Sequence, residues 1–187
     1  MKRILVINVM LLMVVLVALT FSVQRNSQIM NVSYGNQKNY SYQLAWPGML
    51  PDSPFYKLKV LRSKIIERII FDPVKKVEFD LLMADKTIYA SKLLIDKKET
   101  DLAKDAALKG ENFYSNLVQD YNKVLLQGRK MPLSLDRKIT LSASRHQEIF
   151  KELEKKVNTE DEKTFQIVAK FSKINYDFIV GLRSSEK

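Results

Sequence analysis

The chain has 187 residues, a formal net charge of +10 and no cysteine. The lack of cysteine excludes disulfide bridges, thiolate metal sites, thiol catalysis and a lipid-modified N-terminal cysteine. Five glycines and five prolines are few for a loop-rich β fold, so we expect long helices that are stabilised by packing.

The N-terminus predicts a single membrane span. Lys2 and Arg3 precede a nearly continuous apolar run, Ile4–Val23, which is long enough to cross a bilayer as a helix. Small residues suited to signal cleavage are poorly placed, which favours an uncleaved anchor over a secreted protein. The positive-inside rule puts the rest of the chain outside the cytoplasm. We therefore expect a transmembrane signal anchor at residues 1–23 in the cell membrane.

The remaining chain predicts a tether and one domain. Residues 24–49 are rich in Asn, Gln, Ser and Tyr and have little to bury, which is typical of a polar tether. Residues 50–187 have a normal length for one domain with a single core, and we expect them to form an extracytoplasmic helical bundle.

Five helices are predicted from capping residues, prolines and glycines. Ser53 and Asp72 each stand before a proline that suits the first helical turn, and Thr100 and Thr159 are predicted caps. The expected helices are Pro54–Phe71, Pro73–Lys97, Thr100–Gly128, Pro132 or Ser134 to Val157, and Thr159–Gly181.

Apolar residues recur every three or four positions in these helices, and no strand-like alternation occurs. Short connections between long helices favour antiparallel neighbours. The predicted fold class is therefore all-α, an up-and-down bundle of about five helices preceded by an N-terminal transmembrane helix. Gly110 lies on or beside the apolar seam of the third helix, where the close approach of another helix would explain it.

The start of the domain carries a recognisable pattern. LPDSPFY at residues 50–56 is followed by FDP at 71–73 and KKVE at 75–78. These residues resemble the bacterial domain-of-unknown-function family DUF5667, whose members are exported or membrane-anchored helical proteins. The resemblance covers the first two predicted helices, to about Leu94. It implies export and a helical fold, and it supplies no activity and no catalytic residue.

Aromatic residues near the start of the first helix have two interpretations. Trp46, Phe55 and Tyr56 could form an anchor for a partner protein, since aromatic side chains dominate interfaces. Alternatively, Trp46, Leu50 and Phe55 would staple the incoming chain onto the bundle. Cap and proline chemistry already explain the spacing, which favours the staple.

The first helix is strongly basic and could bind an anionic partner. Anionic lipid or a wall polymer would suit such a helix near a membrane anchor. Its five cations outnumber the single Glu67; they are Lys57, Lys59, Arg62, Lys64 and Arg68. Nucleic acid is disfavoured because an exported domain rarely meets it. The opposing interpretation puts the helix's apolar stripe in the bundle core and its cations in solvent; the stripe comprises Phe55, Leu58, Leu61, Ile65 and Ile69.

No residue pattern specifies a reaction or a cofactor. His146 is the only histidine, so a di-iron site with two Glu-x-x-His motifs cannot form, and we expect a partly buried imidazole hydrogen-bonded to a neighbouring helix. Carboxylate pairs such as Glu78 with Asp80 are interpreted as solvated surface.

We expect a non-catalytic protein-interaction or scaffold module of the cell envelope. Two alternatives stay open. The first is binding of anionic lipid or wall polymer through the basic first helix. The second is an envelope hydrolase whose carboxylate pair is assembled only by folding.

Overall fold

The computed structural model describes residues 42–184, which lie in the compact unit Ser41–Lys187. The predicted anchor and residues 24–41 of the predicted tether lie outside the described residues. Within residues 42–184 the secondary structure is entirely helical, as predicted. The five helices are α1 Tyr56–Ile69, α2 Pro73–Asp96, α3 Thr100–Leu126, α4 Leu133–Glu154 and α5 Thr159–Ser184. Across this described range, no helix combines the length and the apolar character that a membrane span requires.

Local signals set several helix ends. The Asp72 carboxylate accepts hydrogen bonds from the amides of Val74 and Lys75 at 2.9 and 3.1 Å, with Pro73 in the first turn, as the sequence predicts. Gly128 has a φ of 68° just after α3, a backbone conformation that glycine adopts without steric cost. These two signals confirm the start of α2 and the end of α3.

Other predicted helix ends are wrong. Helix α1 begins at Tyr56 without a side-chain cap, so Ser53 does not cap it. Thr100 lies inside α3, whose cap position is Glu99. The side chain of Asn158, one residue before the predicted cap Thr159, accepts a hydrogen bond from an amide in the first turn of α5. Gly181 does not stop α5, which continues to Ser184.

Helices α2 to α5 form a four-helix bundle. The close backbone pairs among the described helices are α2 with α3, α3 with α5, α5 with α4, and α4 with α2. Ion pairs fix the directions: Lys92 in α2 meets Glu152 in α4 near the ends of both helices, and Lys104 in α3 meets Asp161 in α5 near their starts. Helices α2 and α4 therefore run parallel on adjacent sides of the bundle, as do α3 and α5.

Helices α3 and α4 are consecutive in sequence but lie across the bundle diagonal. Two tyrosines of α3 bridge the distance, because the Tyr114 hydroxyl donates to the Ile139 carbonyl at 2.8 Å and the Tyr121 hydroxyl donates to Asp136 at 3.0 Å. Both tyrosines are fully buried. Large aromatic side chains thus fill the centre of the bundle while their hydroxyls find partners on α4.

The core consists of the apolar stripes of α2 to α5. Its side chains form two clusters along the bundle. The buried residues of these stripes, which recur every three or four positions, include Val77, Leu81, Ala84, Ile88, Leu117, Tyr121, Ile139, Phe150, Phe165 and Ile179. The three- and four-residue spacing therefore identified the inward faces of these four helices correctly.

Gly110 permits a close approach between α2 and α3. A Cβ atom at this position would overlap Cγ1 of Ile88 and would lie 3.2 Å from the Ile88 backbone nitrogen. The prediction that Gly110 marks a close helix contact is confirmed.

Helix α1 lies outside the four-helix bundle, and none of its residues is buried. The interpretation that its apolar stripe belongs to the core is wrong, because these side chains remain exposed. The exposed fractions are Phe55 61%, Leu58 64%, Leu61 55%, Ile65 45% and Ile69 63%. None of the other four helices covers this stripe, which leaves it without a partner among the described residues.

Candidate functional site

Helix α1 has a polarity opposite to that of an ordinary surface helix. The face that points toward α2 and α3 is mostly polar and lines a cleft with Tyr56, Lys59, Val60, Ser63 and Glu67. Leucine and isoleucine side chains cover the opposite face, toward solvent. A surface helix normally buries its apolar stripe and exposes its charges. The inverted orientation of α1 therefore makes both of its faces candidates for binding.

Cations border the outward apolar face. Lys57, Lys64 and Arg68 are exposed, and at 3.6 residues per turn they lie along one edge of the Leu58 to Ile69 stripe. Phe71, which is 91% exposed, continues the apolar surface just beyond the helix end. The outward face is thus an apolar strip one helix wide with a basic margin.

The inward face of α1 covers a cleft of about 90 Å³ between α1, α2 and α3. Phe79, Met83 and Phe113 supply apolar walls. Four lysines from three helices also line it: Lys59 and Lys64 from α1, Lys86 from α2 and Lys109 from α3. Folding therefore adds cations of α2 and α3 to the basic helix that the sequence singled out.

The lysines of the cleft repel one another. Partial burial, together with the positive charges of Lys86, Lys109 and Arg62, lowers the pKa of Lys59 to about 8. Burial and Arg62 lower the pKa of Lys86, and burial and Lys64 lower the pKa of Lys109. The cleft is therefore a concentrated positive site.

The three aromatic candidates have different environments. Trp46 stacks edge-on against Tyr89 of α2, with ring centroids 5.5 Å apart, and is still 61% exposed. Phe55 is equally exposed. The Tyr56 ring lies beneath the ammonium groups of Lys59 and Lys109 at 5.3 and 5.8 Å. Tyr56 thus belongs to the cleft, while Trp46 packs on α2.

The segment before α1 is attached to the bundle. The Tyr42 hydroxyl donates to Asp85 of α2 at 2.6 Å, and Leu44 packs against a core cluster. The Lys59 ammonium donates to the carbonyls of Pro47 and Met49 at 2.8 and 2.7 Å. These residues lie within the predicted tether, yet from Tyr42 onward they contact the domain.

His146 lies in a buried polar network at the bundle centre. It is fully buried, and its Nε2 is 2.9 Å from Asp85 of α2 while its Nδ1 is 3.5 Å from Glu111 of α3. Burial alone would lower the pKa of His146, but the two carboxylates outweigh burial and raise it to about 9. The imidazole is therefore charged at neutral pH and links α4 to α2 and α3.

Neutral side chains complete this network. The Ser142 hydroxyl donates to Asp85 Oδ1 at 2.5 Å and lies 3.1 Å from His146 Nε2. Asn175 of α5 donates to Glu111 at 3.0 Å. Serine and aspartate both approach the same ring nitrogen, whereas a catalytic triad needs them on opposite nitrogens. The arrangement is a structural connection among all four bundle helices.

A second pair of buried carboxylates lies on α2 and α3. Asp80 and Asp120 are 0% and 2% exposed, so the interpretation of Asp80 as solvated surface is wrong. Burial and the nearby charges of Asp120 and Glu67 raise the pKa of Asp80 to about 7. Lys76 and Lys123 form ion pairs with Asp120 at 3.6 and 2.7 Å. Neither carboxylate lines the cleft beneath α1.

Sequence reasoning missed the partners of His146, although a signal was present. Asp85 continues the apolar spacing from Leu81, and Glu111 continues it from Ala107. A charged residue at a core position of a helix is unusual and needs a partner. Within residues 42–184, no group of three or more histidine and carboxylate side chains is arranged to hold a metal ion.

Comparison with known proteins assigns the chain to a family without assigning a reaction. The family model described as Domain of unknown function (DUF5667) matches residues 48–160. The match runs from the segment before α1 to the start of α5 and covers more than half of the chain. Neither a curated protein nor a solved structure matches it significantly. The chain therefore belongs to the DUF5667 family of domains of unknown function.

Proposed function

We propose that this protein is a non-catalytic binding domain of the cell envelope that lies on an anionic membrane surface through α1. The single observation that carries the proposal is the orientation of α1, whose apolar face is open to solvent while its polar face packs against α2 and α3. A basic amphipathic helix with a free apolar face is the usual element that binds the interface of an anionic membrane.

Charge complementarity favours lipid as the occupant of this surface. The apolar strip is bordered by Lys57, Lys64 and Arg68, and such cations are attracted to phosphate headgroups at the level where an interfacial helix lies. The strip is convex and one helix wide, which suits a bilayer surface better than a concave protein groove.

The predicted anchor would hold this surface close to the bilayer. About 18 residues separate Val23 from Tyr42, the first described residue. Even fully extended, they reach at most about 60 Å. Weak affinity would therefore suffice, because tethering gives the domain a high local concentration near the membrane.

The expected affinity follows from the exposed groups. Four aliphatic side chains that are about half exposed would each contribute about 1 kcal/mol on insertion, and three cations would add about 1 kcal/mol each. A total of about 7 kcal/mol corresponds to a Kd of about 10 µM. The side chains are Leu58, Leu61, Ile65 and Ile69.

The test is co-sedimentation of residues 42–187 with vesicles of phosphatidylcholine alone or mixed with phosphatidylglycerol. We expect binding only to the anionic vesicles, weakening as salt is raised. The double variant Leu61→Glu/Ile65→Glu should lose at least tenfold in affinity. The matched control, Ile167→Glu/Ile174→Glu, places the same change on exposed residues of α5 and should bind like the wild type.

Equal losses in the two variants would contradict the proposal, as would binding to neutral vesicles that salt does not affect. The scaffold function would be supported instead if the domain does not bind vesicles but forms a stoichiometric complex with one envelope protein. The Leu61→Glu/Ile65→Glu variant should then abolish that complex.

A further inference from the structure

We propose that the cleft between α1, α2 and α3 is a binding site for a phosphoryl-bearing anion. The site lies on the inward side of α1, opposite the proposed lipid-facing strip. It shares Lys64 with the basic margin of that strip but otherwise rests on different residues, and it stands whether or not the strip contacts a membrane.

The first argument is the unbalanced charge of the cleft. Lys59, Lys64, Lys86 and Lys109 line it, and Glu67 is the only carboxylate among the described residues that do so. Elsewhere in the described part of the domain, lysines between helices meet carboxylates, for example Lys92 with Glu152. The cleft lysines have no such ion pair within residues 42–184, and the charges that act on Lys59, Lys86 and Lys109 are positive.

The second argument is a free donor among the cleft lysines. Arg62 does not line the cleft, but its positive charge acts on both Lys59 and Lys86. Two donors of Lys59 are used by backbone carbonyls, which fix its position and leave a third N–H.

The third argument is the shape of the site. Ammonium groups approach from three helices, a geometry that suits an anion with oxygens in several directions. A planar carboxylate would instead match a bidentate arginine fork. The volume of about 90 Å³ equals that of about three water molecules, enough for one phosphoryl group. The side chains of Phe79, Met83 and Phe113 supply apolar walls, and charge attraction is stronger beside apolar surroundings than in bulk water.

A bound phosphoryl group would remove the repulsion among the lysines and bridge α1 to the bundle. The phosphoryl group could belong to a lipid headgroup or to a soluble phosphate compound, since the chemistry of recognition is the same. Binding would therefore stabilise the folded domain, and this stabilisation can be measured.

The experiment uses the full-length protein in a neutral detergent. Thermal unfolding and calorimetric titration are recorded with inorganic phosphate, and with sodium chloride at equal ionic strength. We expect phosphate to raise Tm specifically. The variant Lys86→Met/Lys109→Met keeps the apolar stems, and we expect it to be more stable than wild type in chloride and to bind phosphate at least tenfold more weakly.

The control is Lys163→Met/Lys170→Met, which removes the same charge from exposed positions of α5 and should respond to phosphate like the wild type. Equal phosphate responses in the two double variants would overturn the proposal. Two results together would also overturn it. Phosphate and chloride would have the same effect on the Tm of the wild type, and monomeric short-chain phosphatidylglycerol would fail to bind.

A second ligand identifies the source of the phosphoryl group. Binding of short-chain phosphatidylglycerol, lost in Lys86→Met/Lys109→Met, with little binding of inorganic phosphate would assign the site to lipid headgroups. Comparable binding of both would assign it to phosphoryl groups in general. The Leu61→Glu/Ile65→Glu variant should keep its phosphate response, which separates a failure of this site from a failure of the lipid-facing strip.

Discussion

Replacing His146 with glutamine should remove a specific pH dependence of stability. The pKa of His146 is raised from 6.5 to about 9 in the folded domain. Each pKa unit corresponds to about 1.4 kcal/mol, so protonation of this one ring contributes about 3 kcal/mol to folding. Because the folded pKa is the higher one, this contribution is complete below pH 6.5 and is lost as the pH rises to about 9.

The measurement is urea unfolding of residues 42–187 between pH 5.5 and 9.5, followed by circular dichroism. The free energy of unfolding of the wild type should fall about 3 kcal/mol further across this range than that of His146→Gln. The lowered pKa of Lys59 acts in the opposite direction above pH 8, since its repulsion disappears on deprotonation. Both proteins share Lys59, so its contribution cancels in their difference.

The variant should also be less stable at neutral pH, because it leaves Asp85 and Glu111 buried without their cation. If the variant does not fold, the wild type alone still decides the question. His146 is the only histidine, so its ring proton resonance can be titrated directly by NMR. A titration at pH 6.5 or below, or parallel stability curves for the two proteins, would refute the proposed charged network.

Three further changes test the packing. Asp80→Asn should raise the free energy of unfolding by about 1–2 kcal/mol at pH 8 and by less at pH 5. The pKa of Asp80 is raised to about 7 in the folded state, so its buried carboxylate is charged at pH 8 but protonated at pH 5. A stabilisation that is the same at both pH values in urea unfolding would contradict this. Gly110→Ala should lower the free energy of unfolding by about 1–3 kcal/mol because the new Cβ overlaps Ile88. Ile88→Val should then lower it by less in the Gly110→Ala protein than in the wild type. If the two losses simply add in the double variant, the two residues are not in contact. Tyr42→Phe should lower the free energy of unfolding by about 2 kcal/mol, because it removes the hydroxyl that donates to the Asp85 carboxylate. An unchanged thermal midpoint would show that the segment before α1 does not belong to the domain.

The amino-acid sequence by itself determined the secondary structure and most of the core. Asp72 before Pro73 and Gly128 after α3 act through local backbone chemistry, so their effects can be derived without the fold. The apolar spacing in α2 to α5 likewise identifies the faces that must be covered. The family assignment follows from short motifs near residues 50–78 and is confirmed by the match over residues 48–160.

Only the tertiary structure decided which face of α1 points toward the bundle and which is exposed to solvent. Its apolar stripe at Leu58, Leu61 and Ile65 has the same spacing as a core stripe, so the pattern alone cannot distinguish burial from exposure. The outcome depends on whether the other helices leave a groove for it, and the four-helix bundle does not. The cleft and the His146 network could not be predicted from the sequence either. Lys59 comes close to Lys86 and Lys109 only when distant helices pack together. The same holds for His146, Asp85 and Glu111. Charge interactions depend on distance and burial, which no single helix defines.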